Sequence, residues 1–130
     1  LLLYPKVDSV NEYPSVREFA KGYFLTAERI DQFTGAYVPD QSQLADPRVS
    51  PLLASDLSGL PPAHVVVAGF DPLRDEGIAY ARMLERAGVA TTLRVHTDAV
   101  HPFINILATD LGRRCMAEAV GALRMALHVR

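Results

Sequence analysis

The sequence predicts an α/β protein in which about three parallel strands are flanked by helices. Residues 65–70 form a continuous run of β-branched and apolar side chains, which is typical of a strand covered by helices on both faces. Residues 91–96 form a second strand-like segment. Between them, from about Leu73 to Ala87, apolar side chains recur at helical spacing. A strand, helix and strand in this order make a right-handed crossover, so the two strands are expected to be parallel neighbours.

The first residues predict one more strand. Leu1 to Tyr4 form a short apolar run that Pro5 stops, which favours a fully buried strand with a neighbour on each side. The run has no initiator Met, no basic region and no small-residue cleavage site. We therefore expect neither a natural start nor a signal peptide, but a strand of the sheet entered midway.

Two helices are predicted after this strand. Ser15 and Glu18 have the spacing of a capping box, which predicts a short helix from about residue 16 to residue 21. Thr26 is suited to cap a second helix, which Pro39 closes. The aromatic segment between the helices, residues 23–25, is expected either to pack beneath them or to line a pocket.

Proline and glycine content and hydrophobic periodicity predict the structure of the remaining segments. Residues 40–62 contain four prolines and a glycine, which predicts an irregular crossover loop with at most a helical turn or two. Residues 111–129 carry apolar side chains at helical spacing among arginines and a glutamate. They are expected to form a long terminal helix that lies on the sheet.

Charge and cysteine content exclude several classes of function. The net charge is −2, the pI is about 6.1, and the thirteen Lys and Arg residues are scattered, so no nucleic-acid partner is expected. No apolar run approaches the roughly 18 residues that a membrane span needs. The single cysteine, Cys115, excludes an internal disulfide and a cysteine-cluster metal site. It is expected to be a buried helix residue, and it suits a reducing, cytoplasmic location.

Two side chains with catalytic chemistry follow the predicted strands. Asp71 comes directly after residues 65–70, and His101 lies in the loop after residues 91–96. Ligands and catalytic groups of parallel sheets collect where the strands end, so the carboxylate and the imidazole are expected to meet. A buried carboxylate that accepts from one imidazole nitrogen leaves the other nitrogen free to take a proton from a serine.

Each of these residues also has a structural interpretation. Asp71 followed by Pro72 is a good helix start, with Asp as the N-cap and Pro at the first helical position. His101 followed by Pro102 is equally consistent with a loop histidine ahead of a short helix that reaches Ala108. The spacing alone leaves both alternatives open.

Other titratable residues near these positions are assigned structural roles. Asp75 and Glu76 favour the positive end of a helix dipole. Asp98 is expected to share a loop with the histidine and to compete poorly with an acid at a strand end. Three further histidines precede a strand, end one or lie at the tail, and are interpreted as non-catalytic: His64, His96 and His128.

Several sequence blocks together resemble the hormone-sensitive-lipase-like branch of the α/β-hydrolases, which includes many bacterial carboxylesterases. The most specific block is Gly69-Phe70-Asp71-Pro72-Leu73-Arg74-Asp75-Glu76-Gly77. Further blocks follow the family order at residues 46–52, 60–62, 80–81 and 87–89. Residues 22–26 are similar to part of the family's lid.

The resemblance implies an ester hydrolase acting on small acyl esters, with Asp71 as the triad acid, His101 as the triad base, and no metal or organic cofactor. It also implies one partial α/β-hydrolase domain over residues 1–130, the C-terminal portion of the fold. About residues 12–40 would be a lid-like helical segment, and residues 63–130 the strand–helix–strand unit plus the terminal helix. One departure is Pro102, where the family usually has Gly, because Pro fixes φ and removes a backbone donor.

The nucleophile is missing from the sequence. No Gly-x-Ser-x-Gly elbow and no His-Gly-Gly segment occur, although the resemblance places both before the first strand. We therefore expect this chain alone to be inactive. The alternative is a catalytically inactive remnant or binding module that self-associates through the edge of its first strand. A nucleotide-binding unit is disfavoured because no Gly-rich loop follows residues 65–70.

Overall fold

Three strands form one parallel sheet in the computed structural model, which describes residues 1–127. They are β1 (Leu2–Leu3), β2 (Ala63–Phe70) and β3 (Thr91–Val100), and they lie in the order β1, β2, β3. Leu2 is opposite Val65, and Ala63 is opposite Thr91. The predicted α/β class and parallel pairing are confirmed.

In the described residues, four helices accompany the sheet. They are α1 (Pro14–Glu18), α2 (Ala27–Tyr37), α3 (Arg74–Arg86) and α4 (Asp110–Ala126). The long connection between α2 and β2 holds only two short 3-10 turns, at Gln41–Gln43 and Pro51–Leu53, as its composition predicts. The predicted end of the terminal helix, at residue 129, lies outside the described residues, and so does His128.

Helices cover both faces of β2, and this explains its unbroken apolar run. Val65 and Val67 point to one face, where they pack with Leu84 of α3. Val66 and Ala68 point to the opposite face, in a cluster that includes Cys115 of α4. A strand buried on both faces needs no polar alternation. The terminal helix therefore lies on the sheet, as predicted.

The expectation for β1 is only partly met. It forms the predicted parallel strand, but it is two residues long and half-buried, and Leu1 is 44% exposed. Among the described residues β1 pairs with β2 alone, so one edge of the sheet has no neighbour. Full burial of β1 is therefore not observed in residues 1–127, and a second neighbour for this strand stays a prediction.

The capping box at Ser15 is also wrong, whereas the cap at Thr26 is confirmed. Ser15 lies inside α1, whose N-cap is Tyr13. The buried Ser15 hydroxyl donates to the carbonyl oxygen of Pro72 at 2.7 Å instead. A partner distant in sequence has replaced the local cap. Thr26 accepts a hydrogen bond from the backbone of residue 29 at 3.2 Å, as a cap should.

β3 continues past its predicted end at His96 and ends at Val100, directly before His101. The pairing with β2 shifts register between Ala68 and Phe70. At this point Gly69 approaches the opposing backbone so closely that a Cβ atom would lie 2.5 Å from the carbonyl oxygen of Thr97. The helix predicted after Pro102 is reduced to a 3-10 turn over residues 103–105. The close approach keeps the two strands together up to the edge where the acid and the histidine lie.

Candidate active site

Asp71 and His101 lie side by side at the carboxyl edge of the sheet. Asp71 follows the last residue of β2, and His101 follows the last residue of β3. The Nδ1 atom of His101 is 2.9 Å from Oδ2 of Asp71. The carboxylate is fully buried, whereas the imidazole keeps 18% of its side chain exposed. The predicted proximity is present, and the histidine has a free side from which a reactant can approach.

The two oxygens of the Asp71 carboxylate have different partners. Oδ1 accepts a hydrogen bond from the backbone N–H of Leu73 at 2.8 Å, and Oδ2 faces His101. Helix α3 begins at Arg74 with Leu73 as its N-cap, so the interpretation of Asp71 as the N-cap with Pro72 at the first helical position is wrong. Asp71 instead closes a local turn with one oxygen and keeps the other for the imidazole.

This arrangement selects the tautomer of the neutral histidine ring. A carboxylate only accepts hydrogen bonds, so Nδ1 of His101 must carry the proton that it shares with Asp71. The Nε2 atom then has a free lone pair and can take a proton from a hydroxyl group. Pro102, joined to His101 by a cis peptide bond, precedes the 3-10 turn and is compatible with the 2.9 Å contact.

Aromatic side chains next to the acid connect the end of α1 and the loop after it to β2. Tyr23 stacks on Phe70 with ring centroids 5.6 Å apart, and Phe19 meets both rings edge-on. The guanidinium of Arg74 lies 4.9 Å from the Phe19 ring centre. The packing alternative for residues 23–25 therefore holds for Tyr23, but Phe24 is 74% exposed.

Asp75 and Glu76 do more than complement a helix dipole. Asp75 accepts from the backbone of Ser15 at 3.0 Å and from the Arg74 side chain at 2.8 Å. Glu76 is 1% exposed and accepts from the backbone N–H of Val7 at 2.7 Å. The ammonium of Lys6 lies 3.2 Å from the other Glu76 oxygen. The two carboxylates tie the chain after β1 to the start of α3.

Burial gives Glu76 a pH-dependent effect on stability. Desolvation raises the pKa of the Glu76 carboxyl above its usual 4.5, and it outweighs the opposing effects of Lys6 and the Val7 N–H. The folded chain therefore holds this proton more tightly than the unfolded chain does. As the pH rises from about 4.5 through the folded-state pKa, the contribution of this group to the free energy of unfolding is expected to fall.

Glu76→Gln should remove this part of the pH dependence, because glutamine does not titrate. Urea denaturation from pH 4 to pH 8 measures it as the difference between the original chain and the variant. Glu85→Gln, an exposed change on the same helix, is the control and should leave the profile unchanged. As the pH rises, the free energy of unfolding of the original chain should fall relative to that of Glu76→Gln. A difference that stays constant with pH, or that shifts towards a more stable original chain as the pH rises, would contradict this expectation.

The other candidate residues lie away from the acid. His64 is inside β2 rather than before it, and His96 and Asp98 are inside β3 rather than at its end or in the loop. Nδ1 of His96 is 3.3 Å from Sγ of the buried Cys115. Burial lowers the pKa of His96 and raises the pKa of Cys115, so both side chains favour their neutral forms. Within residues 1–127, no three His, Cys, Asp or Glu side chains are grouped as a metal ion would require.

Tyr4, which no sequence motif marks as functional, contacts the histidine. The ring of Tyr4 lies against the imidazole of His101, with centroids 4.5 Å apart. The position of Tyr4 at the end of a predicted strand is a usable sequence signal. Tyr4 directly follows β1 and therefore lies at the same edge of the parallel sheet as Asp71.

A family model described as an alpha/beta hydrolase fold matches residues 1–105. The chain belongs to the hormone-sensitive-lipase-like α/β-hydrolases. The carboxylic ester hydrolase LipN of Mycobacterium tuberculosis is 46% identical over 125 residues, which are 95% of this chain and 33% of LipN. The ethyl acetate hydrolase of Pseudomonas putida is 41% identical over 106 residues, which are 82% of this chain and 33% of that enzyme.

Two solved enzyme structures superpose on nearly the whole chain. The thermophilic carboxylesterase EstE1, cloned from a metagenomic library, superposes with a TM-score of 0.89 at 36% identity, over 95% of this chain and 43% of EstE1. An ester hydrolase from the metagenome of Lake Arreo superposes with a TM-score of 0.88 at 45% identity, over 96% of this chain and 39% of that enzyme. The chain spans about a third of the length of the two curated relatives. In residues 1–127, no helix is both long and apolar enough to cross a membrane.

Proposed function

We propose that this chain is the part of a serine carboxylesterase that supplies the triad acid, Asp71, and the triad base, His101. The observation that carries the proposal is the 2.9 Å contact between the buried Oδ2 of Asp71 and Nδ1 of the partly exposed His101. It is supported by the relatives, which are named as carboxylic ester and ethyl acetate hydrolases. The nucleophilic serine and the oxyanion donors would come from a segment before Leu1.

The proposed reaction is acyl transfer to a serine and then to water. Nε2 of His101 takes the serine proton as the serine oxygen bonds to the ester carbonyl carbon. The tetrahedral intermediate collapses, the C–O bond to the alcohol breaks, and the imidazolium gives its proton to the leaving alkoxide. His101 then takes a proton from water as the water oxygen bonds to the acyl carbon. The bond between that carbon and the serine oxygen breaks, the imidazolium returns its proton to the serine oxygen, and the carboxylic acid leaves. Asp71 stabilises the imidazolium in both halves of the reaction.

The proposed substrates are esters of short to medium acyl chains, and no cofactor takes part in the steps above. We assign residues 12–40 as a lid-like segment of this partial domain. In support, α1 and the loop after it contact the acid turn through the bonds of Ser15 and the stack of Tyr23 on Phe70. A lid anchored in this way would lie beside the acid turn while leaving Phe24 exposed.

The isolated chain and a longer protein are expected to differ in activity. The 130-residue chain should show no triad-dependent hydrolysis of a chromogenic butyrate ester, because it has no Gly-x-Ser-x-Gly serine for His101 to deprotonate. The extended protein, meaning this chain preceded by a segment with that elbow, should hydrolyse the ester. Activity in the isolated chain that disappears in His101→Ala would overturn the missing-nucleophile claim.

A second candidate is a non-enzymatic remnant that associates through the edge of β1. The observation that favours it is the edge of β1 that lacks a strand partner among the described residues. Unpaired strand edges template association between chains. Light scattering on the isolated chain separates a stable dimer, which this candidate needs, from a monomer or an unspecific aggregate.

A further inference from the structure

We propose that Tyr4 is a positioning residue that fixes the plane of the His101 imidazole against Asp71. The inference rests on the proposed function and adds a residue to it. The Tyr4 and His101 rings are 4.5 Å apart at an interplanar angle of 62°, which is the edge-to-face geometry that aromatic pairs prefer.

His101 needs a second restraint because one hydrogen bond does not define its orientation. The residue lies in a turn beyond the end of β3, and Asp71 is its hydrogen-bond partner. A contact between Nδ1 and Oδ2 fixes a distance but permits the ring to rotate about that axis. Rotation would move Nε2 away from a serine, and a displacement of about 1 Å can cost about a hundredfold in rate. A ring packed on the imidazole removes this freedom.

The Tyr4 ring is itself held on several sides. Its backbone N–H donates to the carbonyl oxygen of Val66 at 2.6 Å, which continues the pairing of β1 with β2. Its ring meets the buried ring of Phe103 at 5.8 Å. Its hydroxyl lies 3.4 Å from Oδ1 of Asn105. The sheet and the turn that follows His101 therefore place the ring together.

The backbone of Tyr4 is unusual for a bulky residue. Its φ is +35°, in the left-handed region that large side chains rarely adopt, and Pro5 follows it. Such conformations persist only where the surrounding structure imposes them, and they cluster at functional sites. Here the conformation coincides with the contact to His101.

Tyr4 acts through its ring rather than through its charge. Burial, and secondly the Asp71 carboxylate, raise the pKa of the Tyr4 phenol above its usual 10.0, so the group is neutral near pH 7. A neutral phenol does not compete with Asp71 as a proton acceptor for the imidazole. Phenylalanine at position 4 should therefore keep the positioning role of the ring, whereas an aliphatic side chain should lose it.

The test compares ring-keeping and ring-removing variants of the extended protein. Tyr4→Leu is expected to lower kcat about tenfold to a hundredfold with KM little changed, because the ester binds but the base is misaligned. Tyr4→Phe should restore most of kcat. Tyr80→Leu removes a buried ring from the core on the α3 face of the sheet, and it should lower the thermal midpoint without this loss of kcat.

Four results would overturn the role of Tyr4. They are an unchanged kcat in Tyr4→Leu, an equal loss in Tyr4→Phe, an equal loss of kcat in Tyr80→Leu, and a loss that appears in KM instead. If Tyr4→Leu does not fold, Tyr4→Met fills the space with a flexible chain and should show the same loss of kcat. Failure of both to fold would make Tyr4 a folding residue and would end the proposal.

A parallel assay of Asp71→Asn distinguishes failure of the Tyr4 positioning role from failure of the proposed function. If Asp71→Asn loses activity and Tyr4→Leu does not, the proposed function stands and the positioning role fails. If Asp71→Asn is fully active, the proposed function itself fails.

Discussion

Asp71→Asn in the extended protein is expected to lower turnover of a butyrate ester about ten-thousandfold. The reason is that the two carboxylate oxygens of Asp71 have different hydrogen-bond partners. The side chain at position 71 must accept from the Leu73 N–H with one atom and from Nδ1 of His101 with the other. An amide has only one acceptor oxygen, so one of these contacts must fail.

The backbone contact decides how the asparagine orients. If the amide oxygen keeps the Leu73 N–H, the amide NH₂ faces His101 and requires Nδ1 to be an acceptor. The imidazole proton then moves to Nε2, which is the wrong tautomer for taking a proton from serine. The opposite orientation places two donors against each other at Leu73, which is costly in a buried turn. The first orientation disables the base, and the second keeps the correct tautomer only at the cost of an unpaired buried donor at Leu73.

Asp75→Asn is the matched control for this change. Asp75 lies in the same block, but its hydrogen bonds go to Ser15 and Arg74. The amide oxygen of asparagine can still accept one of these bonds, so kcat should be close to that of the unmodified protein. Equal losses in the two variants would show that Asp71 acts through the fold of the block, and the assignment of the triad acid would fail.

Gly112→Ala is expected to destabilise the chain by about 1–3 kcal/mol or more, which is typical of overpacking. Gly112 is buried in the first turn of α4. A Cβ atom here would lie 2.3 Å from the carbonyl oxygen of Ile106 and 2.8 Å from that of Phe103. Both carbonyls are backbone groups beside the turn that follows His101, so they cannot rotate away as a side chain would.

Gly121→Ala provides the comparison within the same helix. A Cβ atom at Gly121 would meet nothing within 4 Å. Alanine favours a helix interior over glycine by about 1 kcal/mol, so this variant should be more stable than the original chain. Urea denaturation gives the free energy of unfolding of both variants. Similar values for Gly112→Ala and Gly121→Ala would show that α4 can shift without cost and that the close approach has no energetic role.

Local patterns were sufficient to predict the strand–helix–strand unit. The apolar run of β2, the periodic face of α3 and the short return to β3 are properties of consecutive residues, and the structure confirms all three. The rule that such a unit makes parallel neighbours then placed Asp71 and His101 at one edge. Their contact could be predicted because chain order alone brings the two strand ends together.

Predictions failed where a distant partner replaced a local one. Ser15 has the spacing of a capping residue, but its hydroxyl bonds to Pro72, 57 positions away. Asp71 has the spacing of an N-cap, but α3 begins later. Glu76 has the position of an acid that complements a helix dipole, yet it is buried against the chain after β1. A sequence pattern shows which local bonds are available and does not show which distant donors compete for them.

The sequence by itself determined the α/β class, the parallel pairing of β2 with β3 and the edge of the sheet at which an acid and a histidine meet. These depend on hydrophobic periodicity and connectivity, which are properties of residues that are close together in the sequence. Only the tertiary structure decided that Asp71 gives one oxygen to Leu73 and the other to His101, and that Tyr4 packs on the imidazole. These contacts depend on distances of a few ångströms between segments far apart in the chain, and packing alone sets such distances.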